Sequence, residues 1–210
     1  MRIAVVLFQG VTALDAVGPY EVLQRLPGAK VSFVSHRLGE IRTDNGFLGL
    51  MVDKTFDDVV NPDIILVPGG IGTRALVHDK PILDWIRATH ETSQFTVSVC
   101  TGSLLLAAAG LLSGLKATTH FSARRLLVKY GAIPSEERVV QEGKIITAAG
   151  VSSGIDMALR LAELVTDATT AKALQLMIEY DPQPPHDAGA LHKVDPTVLM
   201  RVQELAKDKN

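Results

Sequence analysis

Short apolar runs alternate along this chain with longer stretches in which apolar residues recur every three or four positions. Residues 3–8, residues 30–36, Ile64–Val67 and Phe95–Val99 are predicted strands, bounded by turn-forming or polar residues. The helical period predicts helices over residues 13–25, 81–92, 102–109, 121–130, 155–165 and 168–178. Asp79 is placed to cap the second of these with Pro81 in its first turn, and Gly131 ends the fourth. Two hairpins are expected, one carrying a strand at residues 47–51 after the Asp44-Asn45-Gly46 turn. The other folds residues 139–141 onto 144–147 around Glu142-Gly143. Strands that are apolar on both faces and separated by helices belong to a parallel sheet covered on both sides. The expectation is one α/β domain over residues 1–210. Residues 181–210 are then a Pro-rich extension (Pro182, Pro184, Pro185) that finishes in a short helix near residues 198–206 and wraps the domain or a partner subunit.

Composition narrows this picture. With 210 residues, 47% of them hydrophobic, the chain can remove roughly 70% of its unfolded surface from water. A formal net charge of -2 and a pI of about 6.3 lack the basic footprint of a nucleic-acid binder. The first apolar run ends at Phe8, too early for a secretory signal, and the longest apolar stretch, residues 104–112, is far short of the roughly 20 residues that cross a bilayer. A cytoplasmic protein with no membrane partner is expected. A single cysteine, Cys100, excludes an internal disulfide and a zinc site built on several cysteines, and it suits a reducing compartment.

Open parallel sheets bind ligands beyond the carboxyl ends of their strands. Four loops leave those ends here: Gly10 to Asp15, Pro68-Gly69-Gly70-Ile71-Gly72, Cys100-Thr101-Gly102, and the stretch from Ala148 to Gly154. A strand followed by Cys-Thr-Gly and an apolar helix has the layout of a nucleophile elbow, and a helix N-terminus favours thiolate. A lone cysteine also serves as a small hydrophobe at a strand end; the junction and the three companion loops favour the nucleophile. Asp15 opens an otherwise apolar helix, where burial would raise its pKa and make it a general acid/base. Gly69, Gly70 and Ile71 offer backbone N–H groups for stabilising an anion. The six histidines, His36, His78, His90, His120, His186 and His192, have no metal-ligand spacing, so no metal is expected; Gly70-Ile71-Gly72 is not a dinucleotide fingerprint and there is no phosphate loop, so no organic cofactor is expected either. His120, in Thr118-Thr119-His120, is a possible neighbour of Cys100; Arg124-Arg125 reads as a solvated helix face.

These residues carry a resemblance. Leu14-Asp15-Ala16-Val17-Gly18-Pro19, Pro68-Gly69-Gly70-Ile71-Gly72, Ser98-Val99-Cys100-Thr101-Gly102-Ser103 and Ala117-Thr118-Thr119-His120 resemble the ThiJ/PfpI superfamily. Gly150-Val151-Ser152-Ser153-Gly154 and the Glu179–Pro185 segment extend the likeness toward its isonitrile-hydrating branch. The resemblance implies a flavodoxin-like three-layer α/β sandwich, a homodimer, and hydration of an isonitrile with water to an N-substituted formamide, a lyase reaction. It implies Cys100 as nucleophile, Asp15 as its acid/base partner, and Thr101 as a neighbour bonding to Asp15 or substrate. Protease members place His after the cysteine, where this chain has Thr101, and many members have Glu where Asp15 stands. Two alternatives stay open: a glyoxalase- or deglycase-like enzyme acting on reactive carbonyls, and a non-catalytic redox sensor in which Cys100 oxidises.

Overall fold

The aliphatic runs become strands because a segment apolar on both faces is stable only between two layers. Ile64–Val67 is buried at every residue, and Phe95–Val99 at all but its first. The computed structural model describes residues 1–207. In chain order it contains β1 (Arg2–Val6), α1 (Ala13–Leu23), β2 (Lys30–Ser35), β3 (Gly39–Arg42), β4 (Gly49–Val52), β5 (Lys54–Thr55), β6 (Ile64–Val67), α2 (Thr73–Leu76), α3 (Lys80–Thr92), β7 (Phe95–Val99) and α4 (Gly102–Ala108). These are followed by β8 (Lys116–Ala117), α5 (Arg124–Leu127), β9 (Ile133–Pro134), β10 (Val139–Glu142), β11 (Ile145–Ala148), α6 (Ser153–Val165), α7 (Ala168–Met177) and α8 (Pro196–Lys207).

Seven strands form one sheet in the order β10-β11-β7-β6-β1-β2-β5, parallel except for the edge strand β10. The chain builds outward from β1 to β2, then crosses back to β6 and continues to β7 and β11. The order therefore reverses between β1 and β6, the place where open parallel sheets bind ligands. Here the two loops leaving these strands are bonded to each other, Thr12 N–H to the Gly69 carbonyl at 2.9 Å and Gly72 N–H to that of Gly10 at 3.2 Å. Helix α6 packs against both α1 and α7, and α4 packs against α2, α3 and α5. Helix α3 starts where Asp79 accepts a hydrogen bond from the Ile82 N–H at 3.1 Å, and buries Ile82, Leu83, Trp85, Ile86 and Thr89. Helices α1 and α6 approach closely through small residues. A Cβ on Gly18 would stand 3.1 Å from Ile155, and one on Gly154 would stand 3.1 Å from Pro19 and 3.0 Å from Val99.

The structure differs from the sequence reading where elements are short. Strands β3 and β5, helix α2 and the β8–β9 pair are too brief to show a period. The helix expected over residues 121–130 is three pieces: a 3₁₀ turn at Phe121–Ala123, α5, and a 3₁₀ turn at Val128–Tyr130. Only Ala123 and Leu127 are buried there, whereas Phe121, Leu126 and Val128 are exposed, so no apolar stripe sustains a longer helix. Gly131 ends it at φ 77°. The chain divides into two compact units, Met1–Ile178 with the sheet and a second beginning at Glu179. The second unit holds a 3₁₀ turn at Leu191–Lys193 and α8. Among the described residues no helix is long and apolar enough to cross a membrane.

Gly102 joins β7 to α4 under the β6 loop, where a Cβ would collide with the Val67 carbonyl oxygen and stand 2.8 Å from that of Pro68. Backbone cannot step aside as a flexible side chain can. Gly102→Ala is expected to lower stability by at least about 2 kcal/mol in urea denaturation.

Candidate active site

Cys100 stands one residue beyond β7 at φ 57°, a left-handed conformation that disfavours any residue with a Cβ and that marks a sharp elbow. Its backbone is fastened on both sides. The Cys100 N–H donates to the carbonyls of Ala148 (3.0 Å) and Ala149 (2.9 Å). Its carbonyl accepts from the hydroxyls of Thr119 (2.8 Å) and Ser103 (3.1 Å). The sulfur end is nearly enclosed, with the residue 5% exposed, and the backbone N–H groups of Thr101 and Val151 face the sulfur.

Asp15 comes from the first turn of α1 and is 0% exposed. Its Oδ2 accepts a 3.0 Å hydrogen bond from the Gly69 N–H. Its Oδ1 has no nitrogen or oxygen partner, and the Cys100 thiol interacts with the carboxyl. Burial pushes the Asp15 pKa up to about 7, against the opposing pull of the Cys100 thiol and the Gly69 N–H; the Asp44 carboxylate adds a smaller upward push. The thiol is pushed up to about 12, first by burial and then by the Asp15 charge, while the Thr101 and Val151 N–H groups act in the other direction. The expectation that a helix N-terminus alone would yield a thiolate is thereby corrected. Loss of water outweighs two N–H donors. The two groups titrate as a pair. Across the interval between those values the pair holds one proton and one negative charge.

Thr101 does not reach Asp15. Its Oγ1 accepts from the Gly70 N–H at 2.9 Å and from the Thr73 hydroxyl at 3.1 Å, and Thr73 also donates to the Gly70 carbonyl at 2.7 Å. The elbow turns Thr101 beneath the loop after β6, so it braces that loop. Gly69 and Gly70 spend their N–H groups inside the protein, on Asp15 and Thr101, rather than facing outward. Gly69 must lack a side chain: a Cβ would stand 2.5 Å from the Thr101 nitrogen and 2.9 Å from Asp15 Oδ2. Ile71 is 45% exposed beyond this loop. His120 lies against Gly150, whose Cβ would stand 2.7 Å from the imidazole, and its Nδ1 pairs with Ser122 Oγ at 2.7 Å. Burial lowers its pKa, with a further push from Arg124.

Four contributors went unread in the sequence: the Val151 N–H, Thr73, Ser103 and Thr119. Val151, Ser103 and Thr119 each stand inside a motif that the sequence singled out, whereas Thr73 lies outside all of them. Among the described residues no group of three His, Cys, Asp or Glu side chains could hold a metal.

The DJ-1/PfpI family model matches residues 1–164, and the chain belongs to that family. It is 44% identical over 190 residues to isonitrile hydratase of Pseudomonas putida, covering 90% of this chain and 83% of the relative. It is 26% identical over 138 residues to deglycase PfpI of Pyrococcus furiosus, covering 64% of this chain and 81% of the relative. The crystal structure of a ThiJ/PfpI family protein from Pseudomonas syringae superposes with a TM-score of 0.93 at 38% identity, covering 99% of this chain and 86% of that one.

The raised pKa of Asp15 has a consequence for stability. In the unfolded chain its carboxyl ionises near the ordinary 3.8, but in the folded protein it keeps its proton up to about 7. Burying it therefore costs nothing below pH 3.8, progressively more as the pH rises, and a constant about 4 kcal/mol above 7. Asp15→Asn carries no charge to bury. Its gain in stability over the parent should grow between pH 4 and pH 7 and then level off, as read by urea denaturation across that range.

Proposed function

We propose that this protein hydrates isonitriles to N-substituted formamides, with Cys100 as nucleophile and Asp15 as general acid/base. The observation that carries the reading is the burial of the Asp15 carboxyl against the Cys100 thiol. The likeness to isonitrile hydratase over most of both chains supports the choice of substrate.

An isonitrile carbon becomes electrophilic as it accepts a proton, so the reaction needs a nucleophile and an acid side by side. With the pair's proton on Asp15, the Cys100 sulfur is a thiolate. It forms a C–S bond to the terminal carbon while Asp15 gives that carbon its proton, leaving a thioimidate and a carboxylate. Water then adds to the same carbon as Asp15 takes one of its protons and passes it to the nitrogen. In the last step the hydroxyl proton returns to Asp15, the C–O double bond forms and the C–S bond breaks. Formamide leaves, and the thiolate and protonated acid are restored. The Thr101 and Val151 N–H groups stabilise the charge that develops on the sulfur, and the Gly69 N–H keeps the carboxyl turned toward it. This reading includes a homodimer, which light scattering on the eluted protein tests directly.

Assay of formamide release from an alkyl isonitrile tests the proposal. Cys100→Ser is expected to reduce turnover by at least about a thousandfold, and retained activity would overturn the covalent route. A protein that consumes a 2-oxoaldehyde but leaves the isonitrile untouched would overturn the choice of substrate. Below about pH 7 Asp15 takes up a proton of its own, and no carboxylate is left to accept the proton of the thiol. The ratio kcat/KM should therefore fall as the pH drops through about 7 and stay level above it, measured from pH 5 to pH 9.

A further inference from the structure

One of the two backbone N–H groups facing the Cys100 sulfur belongs to Val151, at φ 34°. A β-branched residue avoids that conformation, so the surroundings must hold it. On one side of Val151 the Ala149 N–H donates to the Arg138 carbonyl at 2.9 Å. On the other side the Arg138 side chain reaches back over the loop, Nε to Asp156 Oδ2 at 2.5 Å and Nη2 to Ser152 Oγ at 3.2 Å. Arg138 thus grips the segment before and after the strained residue, with its main chain and its guanidinium. Asp156, its anchor, lies in the first turn of α6, which Gly154 seats against Val99 and Pro19.

We infer that Arg138, anchored on Asp156, is a positioning residue that keeps the Val151 N–H aimed at the Cys100 sulfur and so sets how readily the thiol ionises. The inference rests on the reading of Cys100 as the nucleophile. The ion pair is partly open to solvent, and pairs so placed add little to global stability. Its effect belongs to the thiol, not to melting. Charge and geometry also predict opposite signs at Asp156. Removing a carboxylate from the first turn of α6 would by charge alone favour the thiolate, whereas loosening the grip on Val151 disfavours it.

The experiment follows alkylation of Cys100 in the full-length protein by iodoacetamide between pH 7 and pH 10, read by intact mass, alongside thermal melting. Asp156→Asn and Arg138→Met are each expected to alkylate about tenfold more slowly across this range, with melting essentially unchanged. Arg138→Lys, which keeps the charge without the planar fork, should fall between parent and Met, and it stands in if the Met variant does not fold. Unchanged or faster alkylation of Asp156→Asn overturns the inference, as does slowing that comes only with a fall in melting temperature. A parent protein whose thiol resists alkylation at every pH overturns the nucleophile reading and this inference with it. A reactive parent with unmoved variants overturns the inference alone.

Discussion

Asp15 is a carboxyl group with no access to water, one backbone N–H on one oxygen and a thiol for its other neighbour. A charge there is costly without compensation, and a proton there is easily shared with the sulfur. Much of the local architecture follows from keeping this arrangement. Gly69 has no side chain because a Cβ would displace the carboxyl, and Thr101 with Thr73 braces the loop that supplies the Gly69 N–H. Helix α1 is locked from the outside as well, where the Thr12 hydroxyl donates to Asp44 at 3.0 Å and the Thr12 N–H to the Gly69 carbonyl at 2.9 Å.

Two residues with side chains hold left-handed backbone conformations around the sulfur, Cys100 and Val151. Each costs about 1–3 kcal/mol and persists only where neighbours over-determine it. For Cys100 those neighbours are the carbonyls after β11 on one side and the hydroxyls of Thr119 and Ser103 on the other. Three separate segments of chain therefore meet at one residue. A sheet whose parallel centre is buried on both faces gives them a rigid base, since β7 lies between β6 and β11 in a fixed register.

The centre of the fold was legible in the sequence because burial on both faces leaves an unambiguous mark. Ile64–Val67 and Phe95–Val99 have the predicted bounds, and Asp79 with Pro81 announced the start of α3. Elements of two to four residues, such as β5 and α2, carry no period to read. At the site, the sequence put Cys100 and Asp15 on loops at the same sheet edge, and the structure brings them into contact. Their partners were another matter. Which acceptor the Gly69 or Gly70 N–H finds depends on how loops from β1, β6 and β7 stack, and no local pattern encodes that. The direction of the thiol's pKa was misread for the same reason. A helix N-terminus is visible in a sequence, but the depth of a side chain is a property of the whole fold.

The groups that hold the pair in place are largely main-chain: the N–H of Gly69, Thr101 and Val151, and the carbonyls that receive the Cys100 N–H. Every amino acid except proline supplies the same peptide donor. Side chains at Ile71 and Val151 are thus released from the task of managing the proton, and Ile71 is open to solvent. Selectivity and reactivity are written in different parts of the same residues. Side chains at these two positions can change while the donors that face the sulfur and the carboxyl stay as they were.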